Sequence, residues 1–198
     1  MLFRSDPYTI LDLSIASFGE WQALNRAPAQ VRAVGPETWS PPQLGCLKLN
    51  VDASVLPGVD HIGIGAVLCD EKGIILGAIA KSLDGSFSPF LAECIALREG
   101  LIFAKDFNSG PIVVETDAIN VVTAVGDNRK LSMEGPNLED VKQLLVQMHS
   151  TGIYHTRRSA NLVAHLLARF SINAKCTNVW ISETPIIVSH AVSVHAIA

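Results

Sequence analysis

The run Leu47-Lys-Leu-Asn-Val-Asp-Ala-Ser constrains this chain more than any other stretch: Leu47, Leu49 and Val51 face one way, Lys48, Asn50 and Asp52 the other. Strict alternation is the period of a strand, so the run predicts a half-buried strand whose polar face carries a carboxylate. Ile62 to Cys69 and Gly73 to Ala80 are apolar and β-branched runs on either side of Asp70-Glu-Lys-Gly, a turn-forming tetrad. They predict a hairpin, so three antiparallel strands come first. Ser88-Pro89 then supplies an N-cap and a first-turn proline for a helix reaching about Phe107 and ending in Asn108-Ser-Gly-Pro. Pro111 to Thr116 reads as a buried central strand. Helices from about Ala118 to Val125 and Asn137 to His149, a strand from Gly152 to Thr156 and a helix from about Asn161 to Lys175 complete the order. The order βββαβααβα predicts an α/β fold, a mixed five-stranded sheet flanked by helices.

A chain of 198 residues that is 48% hydrophobic can bury one substantial core and leaves little room for a second. Ile10, Leu13, Phe18, Trp21 and Leu24 recur at helical intervals, and four of the ten prolines fall between Arg26 and Pro42. Residues 1–45 are therefore read as an N-terminal helix and a proline-rich linker, residues 46–183 as the domain and residues 184–198 as a tail. Cys46, Cys69, Cys94 and Cys176 form no CxxC pair, which suits a reducing setting, nuclear or cytoplasmic, without secretion. The most apolar stretch near the end, Pro185 to Ala198, is broken by serines and histidines and is too short to span a bilayer, so no membrane partner is expected. A monomer is expected.

Three carboxylates stand where a carboxylate is costly. Glu93 lies on the stripe Ala96, Leu97, Gly100, Leu101 and Ala104, the face a helix turns to its core. An unpaired ionised carboxylate there costs several kcal/mol, so it needs a cation, a proton or hydrogen bonds; a salt bridge to Lys48 or Arg98 is one answer. Asp117 closes the run Ile112-Val-Val-Glu-Thr and opens the next helix, where it can serve as an N-cap or as a ligand at the end of a central strand. Asp52 can be a solvent-facing strand residue. If the three converge, hard cations with oxygen ligands, Mg²⁺ or Mn²⁺, are the natural occupants, and phosphodiester hydrolysis is the reaction class.

The formal net charge of −4 offers no basic footprint for nucleic acid, although acids gathered for metal contribute to that balance. Gly63-Ile-Gly-Ala falls within a predicted strand, without the following helix a phosphate-cradling loop requires. Gly100 suggests close approach of helix backbone to sheet. Glu115 shares the strand face of Asp117 and can support that site or pair with a lysine.

Five segments in this order, Lys48-Leu-Asn-Val-Asp-Ala-Ser, Gly63 to Gly73, Ala92 to Leu101, Val114-Glu-Thr-Asp-Ala and Arg158 to Ala168, resemble the type 1 ribonuclease H domain. The resemblance is to the reverse-transcriptase-like domains abundant in plant proteins of retrotransposon ancestry. It implies a ribonuclease H-like fold and metal-dependent endonucleolytic cleavage of the RNA strand in RNA–DNA hybrids, RNA being told from DNA by the 2′-hydroxyl. It places Asp52, Glu93 and Asp117 on the metal-binding acids. His165 stands where active enzymes carry a fourth acid, and neutral imidazole suits Mg²⁺ poorly but can bind Mn²⁺. Arg158 falls where relatives carry a phosphate-contacting His or Arg, Asn161 on a motif asparagine that an N-cap also explains, and Ala53 where a glycine usually borders the substrate. Those departures imply a second reading, a nucleic-acid-binding module with little or no turnover.

Overall fold

The computed structural model describes residues 38–107, 110–126 and 135–195. The expected helix between Thr9 and Leu24 and most of the proline-rich linker lie outside the described residues. Strand β1 is Leu47–Ser54, β2 His61–Cys69 and β3 Ile75–Asp84; helix α1 is Pro89–Lys105, β4 Ile112–Thr116, α2 Ile119–Gly126, α3 Gly135–Gln147, β5 Gly152–His155 and α4 Leu162–Ala174. A further strand, β6 (Thr177–Ile181), and a short helix, α5 (Ser189–His195), follow. The strands form one mixed sheet in the order β5-β4-β1-β2-β3-β6. β1 runs parallel to β4 and antiparallel to β2, which leaves it at the centre.

Local chemistry sets most of these boundaries. Ser88 Oγ accepts the Leu91 N–H at 3.1 Å and Pro89 opens α1, while Lys175 in the left-handed conformation closes α4. α1 packs on the face of β1 that carries Leu49 and Val51, and α4 covers the other face. Two glycine devices set those distances. A Cβ on Gly100 would stand 2.5 Å from Val51, and a Cβ on Gly63 or Gly65 would collide with the carbonyl oxygens of Ala168 or Ala164, so only glycine lets each helix lie against the sheet.

Two expectations are corrected. β1 is not half-buried: with a helix on each face, Lys48, Asn50 and Asp52 are as enclosed as the leucines beside them. The sheet has six strands rather than five, because Thr177–Ile181 pairs antiparallel with β3 although Val179 and Ile181 remain exposed. The same pairing, with that to β2, carries β3 past Ala80 to Asp84. Residues on both sides of 46–183 pack against the sheet. Trp39 packs with Val67, Cys69 and Ile75, and the buried Val188 joins that cluster from the segment expected to be tail. Among the described residues, no helix is long and apolar enough to cross a membrane.

Candidate metal-binding active site

Each acid reaches the site from a different element: Asp52 from β1, Glu93 from the second turn of α1, and Asp117 from the junction of β4 and α2. Asp52 is 1% exposed. Burial pushes its carboxyl up to about 6; the nearby negative charge of Asp117 adds to that, and the contact with His165 opposes it. Glu93 is pushed up to about 9, first by burial and then by the charges of Asp52 and Asp117, against the pull of the Ala53 backbone N–H and Arg158. The three carboxylates therefore feel one another.

The salt bridge that would explain Glu93 without a function is not made. Lys48 Nζ pairs with Glu115 Oε1 at 2.6 Å, and Arg98 pairs with Asp140 at 2.9 Å and Glu99 at 3.0 Å. Glu93 Oε2 is buried with no hydrogen-bond partner. Hard anionic oxygens that lack enough internal partners suit a divalent ion of the Mg²⁺ or Mn²⁺ type. Among the described residues, no three His, Cys, Asp or Glu side chains are already drawn together as ligands.

His165, in the first turn of α4, stands beside this cluster with Nδ1 2.8 Å from Asp52 Oδ2. Gly65 is the partner of Asp52 across the β1–β2 ladder, and its missing side chain is what admits the turn of α4 holding Ala164 and His165. Arg158, whose side chain is 65% exposed, lies 3.7 Å from Asp117 Oδ2 and 3.3 Å from His165 Nδ1. It is more than a stray surface charge.

Asn161 does not cap α4 with its side chain. Its amide nitrogen donates to the Val51 carbonyl at 2.9 Å and to Asp117 Oδ1 at 3.1 Å, and its oxygen accepts from Asn50 Nδ2 at 3.2 Å. Asn50 in turn donates to Glu115 Oε2 and accepts from Trp39 Nε1 at 2.9 Å. Asn161 and Ala53, expected beside the substrate, are both buried, which leaves Arg158 as the exposed member of that set. Glu115 fills both roles weighed for it, pairing with Lys48 and supporting Asn161 through Asn50. Sequence reasoning passed over Asn50 and Trp39. Asn50 was legible as the neighbour of Asp52 on the polar face; Trp39, in a proline-rich stretch, gave no signal. Replacing Asn161 by alanine strands the Val51 carbonyl and Asn50 in the interior, and a loss of about 2–3 kcal/mol in urea unfolding is expected.

The sequence model of the reverse transcriptase-like family matches residues 50–171. No curated protein matches. Among solved structures, the chain is similar to the N-terminal RNase H domain of a Mycobacterium tuberculosis protein, solved as a fusion with maltose-binding protein. The identity is 19% and the TM-score 0.58, over 65% of this chain and 94% of that one. It is similar also to RNase H1 from the archaeon Halobacterium salinarum, at 18% identity and TM-score 0.53, over 67% of this chain and 100% of that one. LC11-RNase H1, solved in complex with an RNA/DNA hybrid, matches at 18% identity and TM-score 0.58, over 65% of this chain and 98% of that one. These likenesses establish the type 1 ribonuclease H fold. With all three acids and His165 inside the span that the family sequence covers, the chain belongs to the reverse transcriptase-like family.

Proposed function

We propose that the protein is an endoribonuclease that cuts the RNA strand of RNA–DNA hybrids by metal-assisted phosphodiester hydrolysis. The observation that carries this reading is Glu93 Oε2, buried and unpartnered, on a carboxyl that feels the charges of Asp52 and Asp117. The three acids would hold Mg²⁺ or Mn²⁺, which when bound supplies an activated water and stabilises the departing oxygen. Asn161 fixes the Asp117 carboxylate at Oδ1, and the rigid centre of the sheet fixes Asp52. Arg158, exposed at the rim beside Asp117, offers a guanidinium to a phosphate of the bound strand. An RNA–DNA hybrid as partner is supported by the LC11-RNase H1 complex.

Labelled hybrid incubated with the protein in Mg²⁺ and in Mn²⁺ tests the reading, with Asp117→Asn as control. Cleavage by the unaltered protein and a loss of more than about 100-fold in the variant are expected, because a removed ligand should cost at least what a removed supporting group does. Equal cleavage by both proteins, or by neither, overturns it. A second reading, a nucleic-acid-binding module with little turnover, is favoured by His165, whose Nδ1 is engaged by Asp52. Hybrid binding that weakens as salt rises, without cleavage, would select it.

A further inference from the structure

We infer that His165 is a positioning residue that aims Asp52, and not a fourth ligand in the acid cluster; the inference rests on the metal reading of those acids. Two groups compete for one ring nitrogen. Nδ1 lies 2.8 Å from Asp52 Oδ2 and 3.3 Å from Arg158 Nη2. An imidazole nitrogen has a single in-plane direction for a proton or lone pair, so it serves one partner at a time. A guanidinium only donates, and would need Nδ1 bare; a carboxylate accepts, and needs Nδ1 protonated. The Asp52 contact is shorter, and it satisfies an oxygen on a residue 1% exposed, whereas Arg158 keeps water within reach. Nδ1–H therefore donates to Asp52, and the Arg158 approach is a contact without a shared proton.

This donation fixes the ring. The proton on Nδ1 leaves the lone pair on Nε2, and the two nitrogens point in diverging directions. A ring that holds Asp52 through Nδ1 cannot also aim Nε2 at the point where Asp52 meets its ion. The first backbone bond of α4, from the His165 N–H to the Asn161 carbonyl at 3.0 Å, sets His165 one turn beyond the residue whose side chain bonds Asp117. One element thus orients two of the three acids: Asn161 holds Asp117 and His165 holds Asp52. A donated hydrogen bond behind a ligating carboxylate is worth about 10–100-fold in metal affinity.

The test reads Mn²⁺ affinity by calorimetry and the ring tautomer by ¹⁵N NMR of the metal-free protein. In the spectrum, His165 is expected to carry its proton on Nδ1. His165→Asn places an amide N–H near the position of Nδ1 and should bind Mn²⁺ within about 3-fold of the unaltered protein. His165→Gln reaches the position of Nε2 instead, and should lose about 10–100-fold, as should His165→Ala. Thermal melts of the variants verify that each is folded. A ring protonated on Nε2, rescue by glutamine rather than asparagine, or an affinity indifferent to all three changes would overturn the inference. If the unaltered protein binds no Mn²⁺, the metal reading of the acids fails, and the tautomer still decides whether His165 holds Asp52.

Discussion

Gly65→Val is expected to destabilise the protein by about 3 kcal/mol or more, the upper part of the range for overpacking a filled interior. Even a bare Cβ at Gly65 would collide with the Ala164 carbonyl and stand 2.5 Å from the Ala168 nitrogen, both backbone atoms of α4 that no rotamer change can move. The helix must therefore lift from the sheet. Because Gly65 faces Asp52 across the ladder, that displacement also breaks the His165–Asp52 contact. A thermal melt should show a fall of roughly 6–12 °C for a domain of this size. An unchanged melting temperature would mean that α4 is not held where the glycines allow it. As a comparison, Gly58→Ala meets no neighbouring atom and introduces only the cost of a positive φ, so its effect should be far smaller.

The second large effect has the opposite sign. Glu93→Gln should raise the stability of the metal-free protein at neutral pH by about 1–3 kcal/mol while removing its response to divalent metal. Glu93 ordinarily titrates near 4.5 and is pushed up to about 9 in the fold, chiefly by burial. The folded state therefore holds a proton that the unfolded state has released, and stability must fall as pH rises between those two values. Asp52, moved from 3.8 to about 6, adds a fall of the same sign across the lower part of that window. Melts of the metal-free protein from pH 5 to pH 9 should show the decline. Mg²⁺ or Mn²⁺ should offset it, since an ion that binds only the folded state stabilises by mass action. Glutamine has no proton to lose, so the variant's profile should be flatter over the upper half of the range. A variant as pH-sensitive as the parent would mean that Glu93 is not the buried group responsible.

Much of the fold was legible because its elements announce themselves locally. The alternation through Leu47–Ser54, the Asp70–Gly73 turn and the Ser88-Pro89 start of α1 each have a short-range cause, and each reappears in the structure. β6 was missed because a five-residue edge strand with exposed Val179 and Ile181 lacks a strong pattern, and its pairing to β3 is the whole of its reason. The candidate acids were legible for a different reason. Glu93 on a core stripe is a local contradiction, and contradictions of that kind collect at functional sites.

By itself, then, the sequence determined the order of the strands and helices through the candidate site and the face of α1 that carries Glu93, and it singled out the three acids as candidates. Periodicity and cap chemistry act over a few residues and need no tertiary partner to be read. Only the tertiary structure decided that the polar face of β1 is buried, that Asn161 braces Asp117 instead of capping its helix, and that His165 meets Asp52 through Nδ1. Those outcomes depend on where α4 lands on β1 and β2, strands more than 90 residues away in sequence. Gly63 and Gly65 in β2 admit that close approach, against the turns of α4 that carry Ala164 and Ala168.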